Sequence, residues 1–461
     1  GMGNNGGDGV AAARLLWEDG FLVTICLIGN EEHASEEMKK QLAIVRKLGL
    51  HICTGLPSGE YDVILDAIFG IGLSREIAGE FADAVNWINE QDALRFAVDI
   101  PSGVNATTGE ILAVAAVADF TITFGTNKRG IVLFPGCNYA GTVIVSDIGF
   151  PKKAVEEIRP RAYTLTRQDA MELMPPRILR SNKGSYGKVL VIAGSAEISG
   201  ACYLCAAAAG RMGSGLVKVF TAAENSTVIR TRLPEALVAT YDSTLDYSQP
   251  ENRLELSGRL QEEIKWASCI VIGPGIGTKE PAGILLTGVL KEKNKAIVID
   301  ADGLNVLSGK DEYFVEREDG TRKLALSANV VLTPHLQEMT RLTRFELPLI
   351  RARIVDQALL ALECANGQTL VLKDARTVVT DGGEVYINTT GNNALSTGGT
   401  GDVLTGMIAG LLAQGMRPKR AAVLAVCLHG IAADEYVRDR GGRYSMIASD
   451  LLDMLPQILP K

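Results

Sequence analysis

Positive charge is not in excess in this chain. Its 46 Lys and Arg stand against 54 Asp and Glu, a net charge of −8. That balance offers no general electrostatic footprint for nucleic acid or for an anionic membrane, so any bound anion must be held by local devices. Cysteine is sparse, 8 residues in no dense cluster. This argues against a disulfide framework or a zinc site, and for reduced core thiols and a cytoplasmic location. Long apolar runs are missing as well. The richest, Ala421–Val426 continuing to Ile431–Ala433, is broken by Cys427, His429 and Gly430, and falls short of the roughly 20 residues a spanning helix needs. Neither a fixed-period repeat nor a low-complexity tract occurs. No signal peptide precedes Gly1-Met2-Gly3-Asn4-Asn5, which reads as the middle of a motif, so an upstream segment is expected.

What the chain does have is apolar content, 47% of 461 residues with 22% charged, enough to bury a large core. At roughly 100–200 residues per domain the length predicts two domains. Short Val/Ile-rich runs alternate with longer Ala/Leu-rich stretches of helical spacing, the pattern of strands wrapped by crossover helices. Candidate strands are Leu22–Leu27, Val63–Asp66, Phe96–Asp99 and Val143–Ser146, then Lys188–Ala193, Ile270–Ile272, Ala296–Asp300, Val330–Leu332 and Leu370–Leu372. Between the sets, Gly149–Lys183 carries Pro151, Pro160, Pro175 and Pro176 and no convincing strand. The junction falls there, giving domains 1–155 and 156–461. Thr377–Asn388 reads as a hairpin turning at Asp381-Gly382-Gly383, and is expected at a sheet edge.

Polar groups gather where strands end. Gly1-Met2-Gly3-Asn4-Asn5-Gly6 matches G-x-G-x-x-G, and Gly7-Asp8-Gly9 follows before a helix expected to open at Val10. Two amides, two glycines and a carboxylate at a helix start can hold a sugar phosphate or a cation. Asp66 precedes the glycine-flexible loop Phe69–Leu73, and Asp99 precedes Ile100-Pro101-Ser102-Gly103. Carboxylates so placed are costly unless they meet a ligand, a cation or a hydrogen-bond donor.

The strongest motif lies further on: Ser396-Thr397-Gly398-Gly399-Thr400-Gly401-Asp402, followed by Val403, Leu404, Ile408, Leu411 and Leu412 at helical spacing. Glycines let backbone N–H groups approach a phosphate, and the helix dipole adds to the attraction. Asp402 at that helix start can accept a proton from, or orient, a substrate hydroxyl while the N–H groups neutralise the developing charge. No Lys-Ser/Thr pair follows the glycines, so this is not a Walker A loop. Four more polar turns follow apolar strands: Gly273–Gly277, Asp300–Asn305, Thr333–Glu338 and Lys373–Thr377. They are expected to line one edge of a doubly wound sheet. His335 reads as a ligand contact rather than a core residue, and Lys373 as either a phosphate contact or a solvated lysine.

In their order, Asn-Asn-Gly-Gly-Asp-Gly, Asp-Ala-Ile-Phe-Gly-Ile-Gly-Leu and Val-Asp-Ile-Pro-Ser-Gly resemble the epimerase half of the NAD(P)H-hydrate repair enzymes, the YjeF amino-terminal type, over about Gly1–Phe150. The resemblance implies a Rossmann-like three-layer domain. It also implies hydrated dinucleotide bound by Asn4, Asn5, Gly6, Gly7 and Asp8, by the loop Gly70, Ile71, Gly72, Leu73, Ser74, Arg75 and Glu76, and by Asp99 as the acid/base group. Potassium is implied near Asn5, Asp66 and Ser102. The family carries a helix and a strand ahead of the Asn-Asn motif.

From Asn182 to Pro456 the chain resembles the ribokinase-like ADP/ATP-dependent NAD(P)H-hydrate dehydratases. The matching stretches are Asn182–Lys188, Gly194-Ser195, Ser199-Gly200-Ala201 and Arg211–Val217, beside the glycine motif. This implies an α/β doubly wound domain binding ADP or ATP through Lys373, Asp374, Ala375, Arg376, Thr377 and Gly401. It further implies the hydrate bound near Ala201, Gly275 or Gly277, His335 and Asp402, with Asp402 catalytic and Mg2+ present. Asp374 stands where the family more often has glycine, and Asn392-Asn393 where Asn-Pro is commoner, which leaves the choice of nucleotide open. The expected protein is thus a bifunctional homo-oligomer acting on hydrated NADH or NADPH. A small-molecule kinase of the same fold and a catalytically silent binding protein stand as alternatives.

Overall fold

Val and Ile are branched at Cβ and pack well on a pleated surface, so short runs of them between helices fold as buried parallel strands. The computed structural model describes residues 1–158, 160–362 and 367–460, and the chain divides into two units, Gly1–Pro160 and Arg161–Lys461.

In the first unit β1 (Thr24–Leu27) pairs in parallel with β2 (His51–Thr54). A four-stranded parallel sheet follows in the order β3 (Val63–Asp66), β4 (Leu94–Val98), β5 (Phe120–Phe124) and β6 (Thr142–Ser146). The helix Glu36–Leu48 shows how local sequence sets its bounds. Ser35 accepts from the Met38 N–H at its start, Gly49 at φ 76° ends it, and Met38, Leu42 and Val45 make its buried stripe.

The first helix runs Asn4–Glu18, opening six residues before the expected Val10. The Asn-Asn-Gly-Gly-Asp stretch is therefore helical, not a loop ahead of a helix. Tertiary contact overrides glycine's poor helix propensity there: a Cβ at Gly6 would lie 1.8 Å from the Gly1 carbonyl oxygen, and one at Gly9 would lie 2.4 Å from Ala67 Cβ.

The second unit holds β7 (Ala162–Tyr163), β8 (Lys188–Ile192), β9 (Leu216–Ala222), β10 (Leu237–Tyr241), β11 (Cys269–Ile272) and β12 (Ala296–Ile299). A small hairpin β13 (Phe314–Glu316) and β14 (Arg322–Leu324) precedes β15 (Val330–Leu332), β16 (Thr369–Leu372), β17 (Val378–Thr380) and β18 (Val385–Ile387). The large sheet is ordered β10-β9-β8-β11-β12-β15-β16-β17-β18-β7, parallel from β10 to β16 and antiparallel across β16-β17-β18.

Two expectations fail here. The junction segment does contain a strand, the two-residue β7, and β7 pairs outside β18, so the hairpin β17–β18 is not the edge. Two residues are too few to show a period-2 pattern in sequence.

The glycine-motif helix Thr400–Ala413 lies against the helix Gly200–Arg211 at very close range. A Cβ on Gly406 would sit 2.1 Å from the Cys205 carbonyl oxygen. Cys202 and Cys205, spaced C-x-x-C on the second of these helices, are free buried thiols. Burial pushes Cys202 up to about 11 and raises Cys205 well above the ordinary thiol range, so both are inert core residues. Cys364 lies outside the described residues. Among the described residues no helix is long and apolar enough to cross a membrane.

Candidate active sites

In the first unit the helix start abuts the chain leaving β3. The Asn5 side chain lies against Gly70, 3.2 Å from where a Cβ would be, and its Nδ2 is buried without a hydrogen-bond partner. Asp66 ends β3 fully buried. Its Oδ2 accepts from the Ser102 N–H at 2.7 Å, and its Oδ1 accepts from Ser102 Oγ at 2.6 Å and Ile68 N at 3.2 Å. Burial, offset in part by these donors, still holds its pKa above the ordinary value. The loop Gly70–Glu76 is mostly exposed, with Leu73 half-buried.

Asp99 follows β4 at φ 68°, left-handed backbone that a non-glycine residue rarely adopts. Its Oδ1 accepts from Lys128 Nζ at 2.5 Å, the Phe124 N–H at 3.1 Å and Thr123 Oγ1 at 3.2 Å. Asp8 is near enough to feel it: burial first, then the Asp99 charge, raises the Asp8 carboxyl. Helix start, Gly70 loop, Asp66–Ser102 and Asp99 thus form one constellation. Asn4 is exposed at its rim.

In the second unit the turns after β11, β12, β15 and β16 meet, because those strands are consecutive in the sheet. Asp300, almost completely buried, accepts from Lys373 Nζ at 2.8 Å and from Thr405 Oγ1 of the glycine-motif helix at 2.7 Å. Burial pushes Asp300 up, but the Lys373 charge and the hydrogen bonds outweigh it, and the net shift is downward. Lys373 is therefore not the solvated lysine of one sequence reading. It stays protonated, raised by Asp300 and Glu338 against the pull of its own burial.

Lys373 Nζ lies 3.5 Å from where a Cβ on Gly401 would be. Asp402, in the first turn of Thr400–Ala413, is pushed up to about 7 by burial and by Asp300, with Lys373 opposing and Asp302 adding. His429, buried on the helix Pro418–Arg440, meets the Thr400 carbonyl oxygen through Nε2 at 3.0 Å, and burial lowers it to about 4. This neutral imidazole fixes the start of the motif helix.

His335 is half-exposed and caps the helix Leu336–Thr343. Its Nδ1 accepts from the N–H groups of Gln337 at 3.1 Å and Glu338 at 3.2 Å. Burial and the Lys373 charge lower its pKa, so it stands neutral with the proton on Nε2. Glu338, buried beneath it, is raised to about 7 chiefly by burial. Gly277 donates its N–H to Asp302 Oδ2 at 2.9 Å, and a Cβ on Gly275 would lie 3.1 Å from Ala201 Cβ. Asp374 and Ala375 are exposed, with Thr377 Oγ1 donating to the Asp374 carbonyl at 3.1 Å and Arg376 half-buried.

Sequence reasoning passed over Lys128, Thr405, His429 and Asn225. Buried Asn225 donates from Nδ2 to the Ser195 carbonyl at 3.0 Å and to Thr221 Oγ1 at 2.9 Å, shaping the loop after β8. Lys128 had a findable signal, a polar turn after an apolar strand, but β5 alternates Phe, Thr, Ile, Thr, Phe and was not proposed as a strand.

A mostly parallel sheet, a glycine-opened helix bearing a raised carboxyl and a lysine beside it define a ribokinase-like α/β enzyme unit, here following a Rossmann-like one. Residues 189–457 match the family model of NAD(P)H-hydrate dehydratase, and residues 1–130 that of the YjeF-related protein N-terminus. Bifunctional NAD(P)H-hydrate repair enzymes of Thermofilum pendens and Moorella thermoacetica are each 36% identical over 100% of this chain and 86% of theirs. The ADP/ATP-dependent NAD(P)H-hydrate dehydratase from Bacillus subtilis, co-crystallised with ATP/Mg2+, is similar at 30% identity and TM-score 0.53, covering 64% of this chain and 96% of that one. The chain belongs to the bifunctional NAD(P)H-hydrate repair enzyme family.

Proposed function

We propose that the first unit interconverts the R and S epimers of hydrated NADH or NADPH, and that the second restores the cofactor from the S epimer at the expense of ADP or ATP. The observation that carries this is Asp402, raised to about 7 at the head of a glycine-opened helix beside Lys373. A base titrating near working pH suits removal of a hydroxyl proton.

Asp402 takes the proton of the carbinol hydroxyl as the hydroxyl oxygen attacks the terminal phosphoryl group; the bridging P–O bond breaks, and AMP (from ADP) or ADP (from ATP) leaves with its electron pair. Lys373 and the N–H groups of the motif helix stabilise the charge on that group, since such transfers depend mainly on positioning and electrostatics. Inorganic phosphate then leaves the carbinol carbon with the C–O bonding pair, a ring proton is lost, and the double bond of the reduced nicotinamide is restored. Lys373, Asp374, Ala375, Arg376, Thr377 and Gly401 would bind the nucleotide, and Ala201, Gly275, Gly277, His335 and Asp402 the hydrate.

Magnesium fits as an ion carried by the nucleotide. Among the described residues no group of three His, Cys, Asp or Glu side chains converges; oxygen-ligated and usually keeping waters, the ion would be carried mainly on the nucleotide phosphates. When bound it would neutralise phosphate charge. Potassium, if bound in the first unit, would be held by hard oxygens beside the Gly70 loop: the Asn5 side-chain carbonyl, which lies against Gly70, and the paired Asp66 carboxylate and Ser102 hydroxyl.

The test is recovery of reduced-nicotinamide absorbance from a mixture of both epimers with ADP, with ATP and with neither. Complete recovery dependent on one nucleotide supports both activities and names the donor. Accumulation of a stable phosphate ester would favour the kinase alternative.

A further inference from the structure

Inversion at the carbinol carbon needs a bond to that carbon to open and reclose on the other face. As the ring C–N bond opens, a base takes the hydroxyl proton and an acid protonates the nitrogen. Reclosure returns both protons, so none is gained or lost overall. The base must present a definite oxygen to the hydroxyl.

Lys128 bears on which oxygen that is. Its ammonium has three N–H donors, and all three are engaged: Asp99 Oδ1 at 2.5 Å, Thr123 Oγ1 at 2.8 Å and the Phe124 carbonyl at 2.9 Å. Both side chains are largely buried, 14% exposed for Lys128 and 13% for Asp99. With Thr123 and the Phe124 N–H also donating, Oδ1 carries three hydrogen bonds and Oδ2 none among the described residues. A carboxylate held by one oxygen at left-handed backbone, with the other left over, is preorganised for use at that other atom. Asp8 adds a like charge nearby.

We infer that Lys128 is a positioning residue of the epimerisation site, clamping Asp99 through Oδ1 so that Oδ2 is the proton-accepting atom. Lys128 itself touches no substrate, because its donors are spent. The inference rests on the epimerase reading of the first unit.

Exchange of pure R hydrate into S without nucleotide measures epimerisation alone, and S-dependent recovery with nucleotide measures the other unit of the same chain. Lys128→Met is expected to lower kcat for exchange about 100-fold over the spontaneous background with KM within about threefold. Lys128→Arg, which can clamp one oxygen, should regain about tenfold. Thr123→Val, nearly isosteric, should lower kcat by a smaller factor in the same direction. S-dependent recovery should stay at the wild-type rate throughout.

Wild-type exchange no faster than the spontaneous rate would overturn the epimerase reading and this inference with it. Active wild type with Lys128→Met within about threefold in kcat would overturn the inference alone. So would a loss in Lys128→Met that Lys128→Arg does not relieve while Thr123→Val behaves as wild type, since that marks a fold requirement rather than a clamp.

Discussion

Asp99 and Asp402 each stand in a glycine-rich site with a lysine nearby, yet the lysines are used differently. Lys128 binds Asp99 directly at 2.5 Å, whereas Lys373 gives its hydrogen bond to Asp300 at 2.8 Å and only lowers Asp402 from a distance. In the first unit the cation fixes which oxygen of the aspartate is free. In the second it is spent on a neighbour, so burial dominates and lifts Asp402 to about 7. The same two residue types thus make a carboxylate clamped through one oxygen in one unit and a carboxyl raised to about 7 in the other.

The sharpest way to break that comparison is to remove each carboxylate. Asp402→Asn should lower nucleotide-dependent recovery from S hydrate by about 10²–10⁴-fold while R-to-S exchange continues. Asp99→Asn should do the reverse, by about 10²-fold or more. Equal loss of both activities in either variant would contradict two separate sites.

A smaller effect tests the lysine of the second unit. Lys373→Met strands the buried Asp300 carboxylate, and breaking such a pair costs about 3–5 kcal/mol. Denaturant unfolding followed on the second unit should show that loss, and a change under about 1 kcal/mol would mean Asp300 finds another partner or a proton.

The pH profile sharpens the electrostatic half. Asp402 must be ionised to accept a proton, so dehydration should rise with pH and level off above about 7. Asp302 contributes to raising Asp402. Asp302→Asn should therefore move the acidic limb to lower pH, by less than about one unit. A limb that stays in place, or moves up, would put the cause of the shift elsewhere.

The smallest expected effect is at Gly401. A Cβ there meets only Lys373 Nζ, at 3.5 Å, so Gly401→Ala should leave unfolding within about 1 kcal/mol while raising KM for nucleotide severalfold. An unchanged KM would place the phosphate elsewhere.

Much of this was legible before any coordinates. Val63–Asp66 and Val330–Leu332 have the bounds their apolar runs suggested, because a strand buried on both faces announces itself as an uninterrupted Val/Ile/Leu run. β9 was not legible, since Lys218 interrupts it. The partner that makes this lysine tolerable, Glu263 at 2.6 Å, lies 45 residues away. β5 was hidden by Thr121 and Thr123, which are wholly buried and whose hydroxyls bond to the Ala140 carbonyl and to Asp99.

The sequence by itself determined the α/β class, the glycine motif with Asp402 at a helix start, and the family, because backbone conformation and phosphate binding depend on residue type and local spacing. Only the tertiary structure decided which charges neutralise which. Lys373 lies 73 residues from Asp300, and Lys128 lies 29 from Asp99. Pairing at such separations is set by strand order and burial, not by anything a local window contains.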